Sequence, residues 1–176
     1  MQSKTITKVK WFWAWQDEKE EAWLSKMASQ GCHLEALVFP TIYRFHIGDP
    51  AEIVYRMDYP QLSKQDRQSY LQLFTDSGWE HVGEGGGWVY FRRQVNPGDP
   101  TEIFSDADSK IQKYSRVLMY LVIFLPIWVT VRPNFEPDEM TILANIILAF
   151  YTGMMLLWAV AIINLIRRIS QLKQSK

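Results

Sequence analysis

The chain has 176 residues, with 19 Lys and Arg against 19 Asp and Glu, so its formal net charge is zero. That balance argues against nucleic acid as a partner, because phosphate binding needs clustered excess Lys and Arg. Cys32 is the only cysteine, which excludes an intrachain disulfide and fits a reducing compartment.

Residues 1–95 form one domain of ordinary size, able to bury a modest core. Lys4, Lys8 and Lys10 lead into an aromatic strand, so no signal peptide is expected. In that strand, KVKWFWAW, the residues Val9, Trp11, Trp13 and Trp15 alternate onto one face. An amphipathic helix follows, with Asp17 and Glu20 at capping-box spacing and Gly31 at the left-handed position after its end. Two strands come next, over 32–39 and 42–47.

The same order then recurs. In EIVYRMDY the residues Ile53, Tyr55, Met57 and Tyr59 alternate, Ser63 and Asp66 repeat the capping spacing, and strands are expected over 79–82 and 88–93. Trp23, Leu24, Met27 and Gly31 fall on Tyr70, Leu71, Phe74 and Gly78 at one constant offset. The expected fold is therefore an α+β cytosolic domain, a duplicated β-α-β-β unit whose antiparallel sheet carries two helices on one face. The opposite face would then be uncovered. Arg44, His46, Arg56, Asp58, Phe91 and Arg93 fall on the alternate phase of their strands and are the candidate partner-binding face.

The run Gly83-Glu84-Gly85-Gly86-Gly87 joins two strands and holds no lysine, so it reads as a hairpin turn rather than a phosphate loop. His33, His46 and His81 lie in three different strands, and adjacent Cys32 and His33 point to opposite faces. No metal site is expected from that pattern. Asp17 with Glu18 and Glu20 with Glu21 read as first-turn carboxylates at the positive end of a helix. No catalytic constellation and no cofactor site emerge, so the protein is expected not to be an enzyme.

Past the domain, residues 96–113 read as a proline- and glycine-containing linker followed by an amphipathic juxtamembrane helix. Residues 114–132 and 141–166 read as two transmembrane helices joined by an acidic external loop, 133–140, and followed by a basic tail, 167–176. Lys110, Lys113 and Arg116 precede the first span, and Arg167, Arg168, Lys173 and Lys176 follow the second. The positive-inside rule therefore places both termini in the cytosol, with a two-helix transmembrane hairpin in the lipids of the cytoplasmic membrane. Asn145, Ala149 and Gly153 repeat every four residues as a helix-packing stripe, suited to sealing the hairpin or joining a homodimer of hairpins. With no charge inside the spans, a transport path is not expected.

The segments WxxEKEEAWLSKMASQGCHL, YRF, VYRMDY, YLQLFTDSGW and VYFRR carry a resemblance over roughly residues 8–95. The chain resembles the bacterial membrane-protein family called domain of unknown function 2812, in which a terminal membrane hairpin is also common. The resemblance brings no catalytic residues with it. Members are often encoded beside PadR-type transcriptional regulators, which implies a regulatory role. The function expected is that of a membrane-anchored regulatory or adaptor protein binding a cytosolic partner, with a PadR-type regulator as the candidate. The alternative is an accessory subunit of a transporter or envelope complex, held by another membrane protein.

Overall fold

A computed structural model of the chain describes residues 4–39, 41–63, 65–96, 103, 107–130 and 142–174. It divides into two compact units, Met1–Ser109 and Lys110–Lys176.

The first unit runs β1 (Thr5–Val9), α1 (Asp17–Ser29), β2 (Cys32–Phe39), β3 (Ile42–Ile47), β4 (Ile53–Asp58), α2 (Asp66–Asp76), β5 (Glu80–Gly85) and β6 (Trp88–Gln94). The two halves share one topology: the strand orders are β1-β3-β2 and β4-β6-β5, with every pairing antiparallel. The six strands form two three-stranded sheets, not the single sheet expected. The reason lies at the strand edges. The edge of β4 is taken by α1, whose Ser25 Oγ accepts from the Tyr55 N–H at 3.2 Å and whose Glu21 Oε1 accepts from the Met57 N–H at 2.8 Å. Between β2 and β5, the Leu37 side chain lies where a Cβ on Gly83 or Gly85 would meet it, at 3.8 and 3.4 Å.

Two apolar clusters follow from this arrangement. One joins Leu24, Met27 and Ala28 of α1 to Leu34, Tyr43 and Phe45 of the first sheet and to Tyr55, Met57 and Tyr90 of the second. The other joins Phe74 of α2 to Trp79, Val89 and Phe91. The second sheet is thus covered on both faces, and the two helices do not share one face. The strand expected across the tryptophans ends early, because β1 stops at Val9. Trp11, Trp13 and Trp15 lie in the connection to α1, with Trp13 stacked on Trp15 at 5.3 Å.

Both helix-ending glycines take the left-handed conformation, Gly31 at φ 80° and Gly78 at φ 81°. Gly31 is also tightly enclosed, since an added Cβ would stand 2.5 Å from the Gly48 carbonyl oxygen. A non-glycine residue held there costs about 1–3 kcal/mol before the clash is counted. In a unit of this size each 1 kcal/mol lowers the melting temperature by about 4–8 °C. Gly31→Ala is therefore expected to melt well below the parent in a thermal scan. Gly78→Ala, whose added Cβ meets only the Arg93 side chain at 3.6 Å, should lose less. Equal losses at the two positions would contradict this packing.

The second unit contains most of α3 (Ala107–Thr130), which includes Pro126, and all of α4 (Ile142–Gln174). The Arg168 guanidinium stands 5.9 Å from the Tyr114 ring centre, so the end of α4 lies beside the beginning of α3. Among the described residues, α4 is the one helix long and apolar enough to cross a membrane, and within it Ala144 and Leu165 alone are buried. Ile142, Leu143, Phe150 and Leu156 are all more than 60% exposed. A continuous apolar surface of this kind calls for an apolar surrounding. The helix continues through Arg167 and Arg168 to Gln174, so the basic stretch extends α4 rather than forming a separate tail. The expected acidic loop, 133–140, lies outside the described residues.

Candidate functional site

Helix α1 carries three acidic side chains that are almost wholly buried: Asp17 at 2% exposure, and Glu20 and Glu21 at 6% each. A buried carboxylate is tolerated only where donors surround it. Glu21 meets that requirement on β4, accepting from the Met57 N–H and lying 3.5 Å from the Arg56 guanidinium. For Glu20 the donors are the hydroxyls of Tyr43 on β3 and Tyr90 on β6, each 2.7 Å from Oε1. One tyrosine comes from each repeat, so this carboxylate joins the two halves of the domain.

Burial pushes the Glu20 carboxyl above its ordinary value of 4.5, against the two donated hydrogen bonds and with Asp17's charge reinforcing the rise. Burial and the neighbouring Glu20 carboxylate likewise raise both tyrosines. The stability consequence has a definite sign. A carboxyl whose folded value is raised contributes fully below pH 4.5, and that contribution is lost as pH climbs through the folded value. Glu80 acts in the opposite sense. The hydrogen bonds from Arg92, at 2.8 and 2.5 Å, lower its value, so its contribution is present above pH 4.5 and lost on acidification. Replacing Glu20 with Gln isolates the first effect. Denaturant unfolding followed across pH should show Glu20→Gln gaining stability relative to the parent as pH rises above about 4.5. A constant difference across that range would contradict the assignment.

Beside Glu20 opens a cavity of about 160 Å³, lined by Phe12, Trp13, Ala14, Asp17, Glu20, Met57, Gly85, Gly86, Trp88 and Tyr90. Its aromatic walls are held from behind. Trp13 packs edge-on against Trp11 at 5.4 Å, and Trp88 edge-on against Tyr59 at 5.2 Å. The glycines belong to the tight turn between β5 and β6. Gly86 and Gly87 have φ values of 60° and 86°, as a two-residue hairpin turn of type I′ requires. A Cβ on Gly87 would strike the Tyr59 ring. The glycine run is thus a hairpin turn, and Gly85 and Gly86 bring only backbone to the cavity lining.

The six residues expected on one uncovered sheet face are divided between two sheets and two environments. Arg44 and His46 lie on β3, where Arg44 pairs with Glu35 at 3.3 Å and His46 stacks on His33 at 5.0 Å. Asp58, Phe91 and Arg93 lie instead on the face beneath α2. Phe91 is fully buried, Asp58 accepts from the Tyr70 hydroxyl at 2.8 Å, and Arg93 covers the Trp79 ring at 4.6 Å. Arg56 turns to Glu21. The cause is a one-residue slip between the repeats. Positions of α1 and β2 recur after 47 residues, as Trp23 with Tyr70 and Leu34 with His81 show, whereas inward positions of β3 recur on β6 after 46, Phe45 with Phe91. A slip of one residue moves every side chain of a strand to the other face.

The two strand histidines His33 and His46 are register partners across β2 and β3. They line a shallow groove of about 270 Å³ with Ile53, Glu80, Arg92 and Gln94, and His33 Nε2 lies 2.8 Å from the Asp49 carbonyl oxygen. Among the described residues no three His, Cys, Asp or Glu side chains gather closely enough to hold a metal ion. On α4, Asn145, Ala149 and Gly153 are all exposed, and a Cβ on Gly153 would meet nothing within 4 Å.

Sequence reasoning missed Glu20 and Glu21, which look like solvated first-turn acids. The signal that could have found them is their position on the same helical face as Leu24 and Met27, the face that packs on the strands.

A family model described as "Protein of unknown function (DUF2812)" matches residues 16–125. No curated protein and no solved structure matches the chain.

Proposed function

The chain belongs to the DUF2812 family of proteins of unknown function, and we propose that it is a membrane-anchored regulatory or adaptor protein without enzymatic activity. In this reading the α+β unit binds a partner protein at the cytosolic surface, and the C-terminal helices tether it. The observation that carries the reading is α4, a long apolar helix whose apolar surface is mostly exposed, in a chain whose first 109 residues pack as their own unit. The other arm of the hairpin is the span 114–132, with the loop 133–140 outside and both termini in the cytosol. Two things support it: Arg168 at the end of α4 lies over Tyr114 at the start of α3, and the basic residues cluster at that same end. Arg44 and His46, on the open side of the first sheet, are the part of the original six that a partner can reach.

A PadR-type regulator is the candidate partner. The test is crosslinking in intact cells followed by capture of the full-length protein and identification of what is attached. Recovery of a cytosolic regulator supports the reading, and its repeated absence counts against it. A second reading, an accessory subunit of a transporter or envelope complex, is favoured by the exposure of Asn145, Ala149 and Gly153 along α4. Removing residues 101–176 separates the two: a partner retained by the remaining fragment fits the first, and a partner lost fits the second.

A further inference from the structure

We propose that the cavity beside Glu20 is a binding site for a small organic ammonium ion. The inference does not rest on the membrane or partner readings and would survive their failure.

The walls are Phe12, Trp13, Trp88 and Tyr90, with Glu20 and Asp17 as the charged groups; among the described residues no Lys or Arg lines the space. Glu20 is 94% buried, and its Oε1 takes both tyrosine hydroxyls. Both hydroxyls converge on that one oxygen, and the carboxylate lines the cavity. A carboxylate in a largely buried site is costly, and a cation beside it offsets that cost. The faces of tryptophan, tyrosine and phenylalanine attract cations through their ring quadrupoles, tryptophan most strongly. Aromatic walls around a carboxylate thus select charge and apolar bulk together, as in a quaternary or alkylated ammonium group. The neighbouring aromatic group already does this with a side chain: Lys10 Nζ stands 5.1 Å from the Phe12 ring centre and 4.7 Å from that of Trp23. The volume of about 160 Å³ has room for about five water-sized groups, which suits a choline-sized ion and excludes a peptide.

The site draws residues 12–20 from the first repeat and 57 and 85–90 from the second. Occupancy would therefore lock the two halves of the domain together through Glu20. Binding to the folded state alone raises its stability by mass action.

The test is titration of the purified full-length protein in detergent with choline chloride, against its neutral carbon isostere dimethylbutanol and against sodium chloride at equal ionic strength. Tryptophan fluorescence and thermal unfolding are read together. Choline is expected to produce a saturable fluorescence change and a concentration-dependent rise in melting temperature, while the isostere and the salt produce neither. Glu20→Gln keeps an acceptor for both tyrosines and removes the charge, and it should weaken choline binding on the order of 10- to 100-fold. Trp88→Leu should weaken it as well. No saturable response to choline at tens of millimolar overturns the proposal. So does equal binding of the neutral isostere, or unchanged affinity in a folded Glu20→Gln protein. If the variants fail to fold, the choline and isostere comparison on the parent protein decides the matter alone.

Discussion

Removing both tyrosine hydroxyls, by Tyr43→Phe together with Tyr90→Phe, is expected to be among the most destabilising pairs of changes that delete no apolar contact. Each hydroxyl donates to the same Glu20 oxygen at 2.7 Å. A hydrogen bond to a charged group is worth about 1.5–3 kcal/mol. Either single substitution leaves one donor in place and should cost an amount in that range. The double substitution leaves a carboxylate at 6% exposure with neither of its hydroxyl donors. Its loss should exceed the sum of the two singles, because the second removal exposes the full cost of the unmatched group. The deficit should also shrink as pH falls, since a protonated Glu20 carries no charge to solvate. Denaturant unfolding of the four proteins as a cycle, near neutral pH and near pH 4.5, measures both effects. A combined loss within about 0.5 kcal/mol, the scale of an ordinary surface substitution, would contradict the role given to Glu20.

Much of the fold can be read locally. Gly31 and Gly78 end their helices in the left-handed conformation that glycine permits, and Gly86 and Gly87 close the last hairpin. Ser63 accepts from the Asp66 N–H at 3.2 Å, as its capping spacing indicates. The other capping pair, Asp17 with Glu20, behaves otherwise, because the donors for Glu20 come from positions 23 and 70 residues away in the chain. No local pattern announces a hydroxyl that distant. The split of the candidate face has a similar origin. Arg44 and Phe91 share a phase only if both repeats keep one offset throughout, and β6 slips by one residue against the rest of its repeat. The tryptophan strand fails for a third reason. Alternation over Val9, Trp11, Trp13 and Trp15 fits a strand, but β1 finds its partners on β3 only from Thr5 to Val9. Beyond that point the indoles pack on one another, and Trp13 walls the cavity instead.

The second large effect concerns α4. Leu156 and Val160 are 64% and 45% exposed, so changing them disturbs little packing within the chain. An aspartate near the middle of a spanning helix costs about 2.5–3.5 kcal/mol for insertion. Leu156→Asp combined with Val160→Asp should therefore move the insertion equilibrium of α4 by several powers of ten. If 114–132 is the other span, the helix that fails to insert is stranded outside, and the C-terminal end changes sides. A cysteine at Lys173, in a Cys32→Ser background, would then become reactive toward a membrane-impermeant thiol reagent in intact cells. The same substitutions placed in a helix buried in protein would instead unfold the chain and leave the sidedness undefined.

The anchoring account is tested most directly by that same labelling on the unaltered helix, with single cysteines at Asn134 and Lys173 in the Cys32→Ser background. The account predicts that Asn134→Cys reacts in intact cells and that Lys173→Cys reacts only after permeabilisation. Labelling of Lys173→Cys in intact cells, or protection of Asn134→Cys, would contradict a hairpin with both ends in the cytosol.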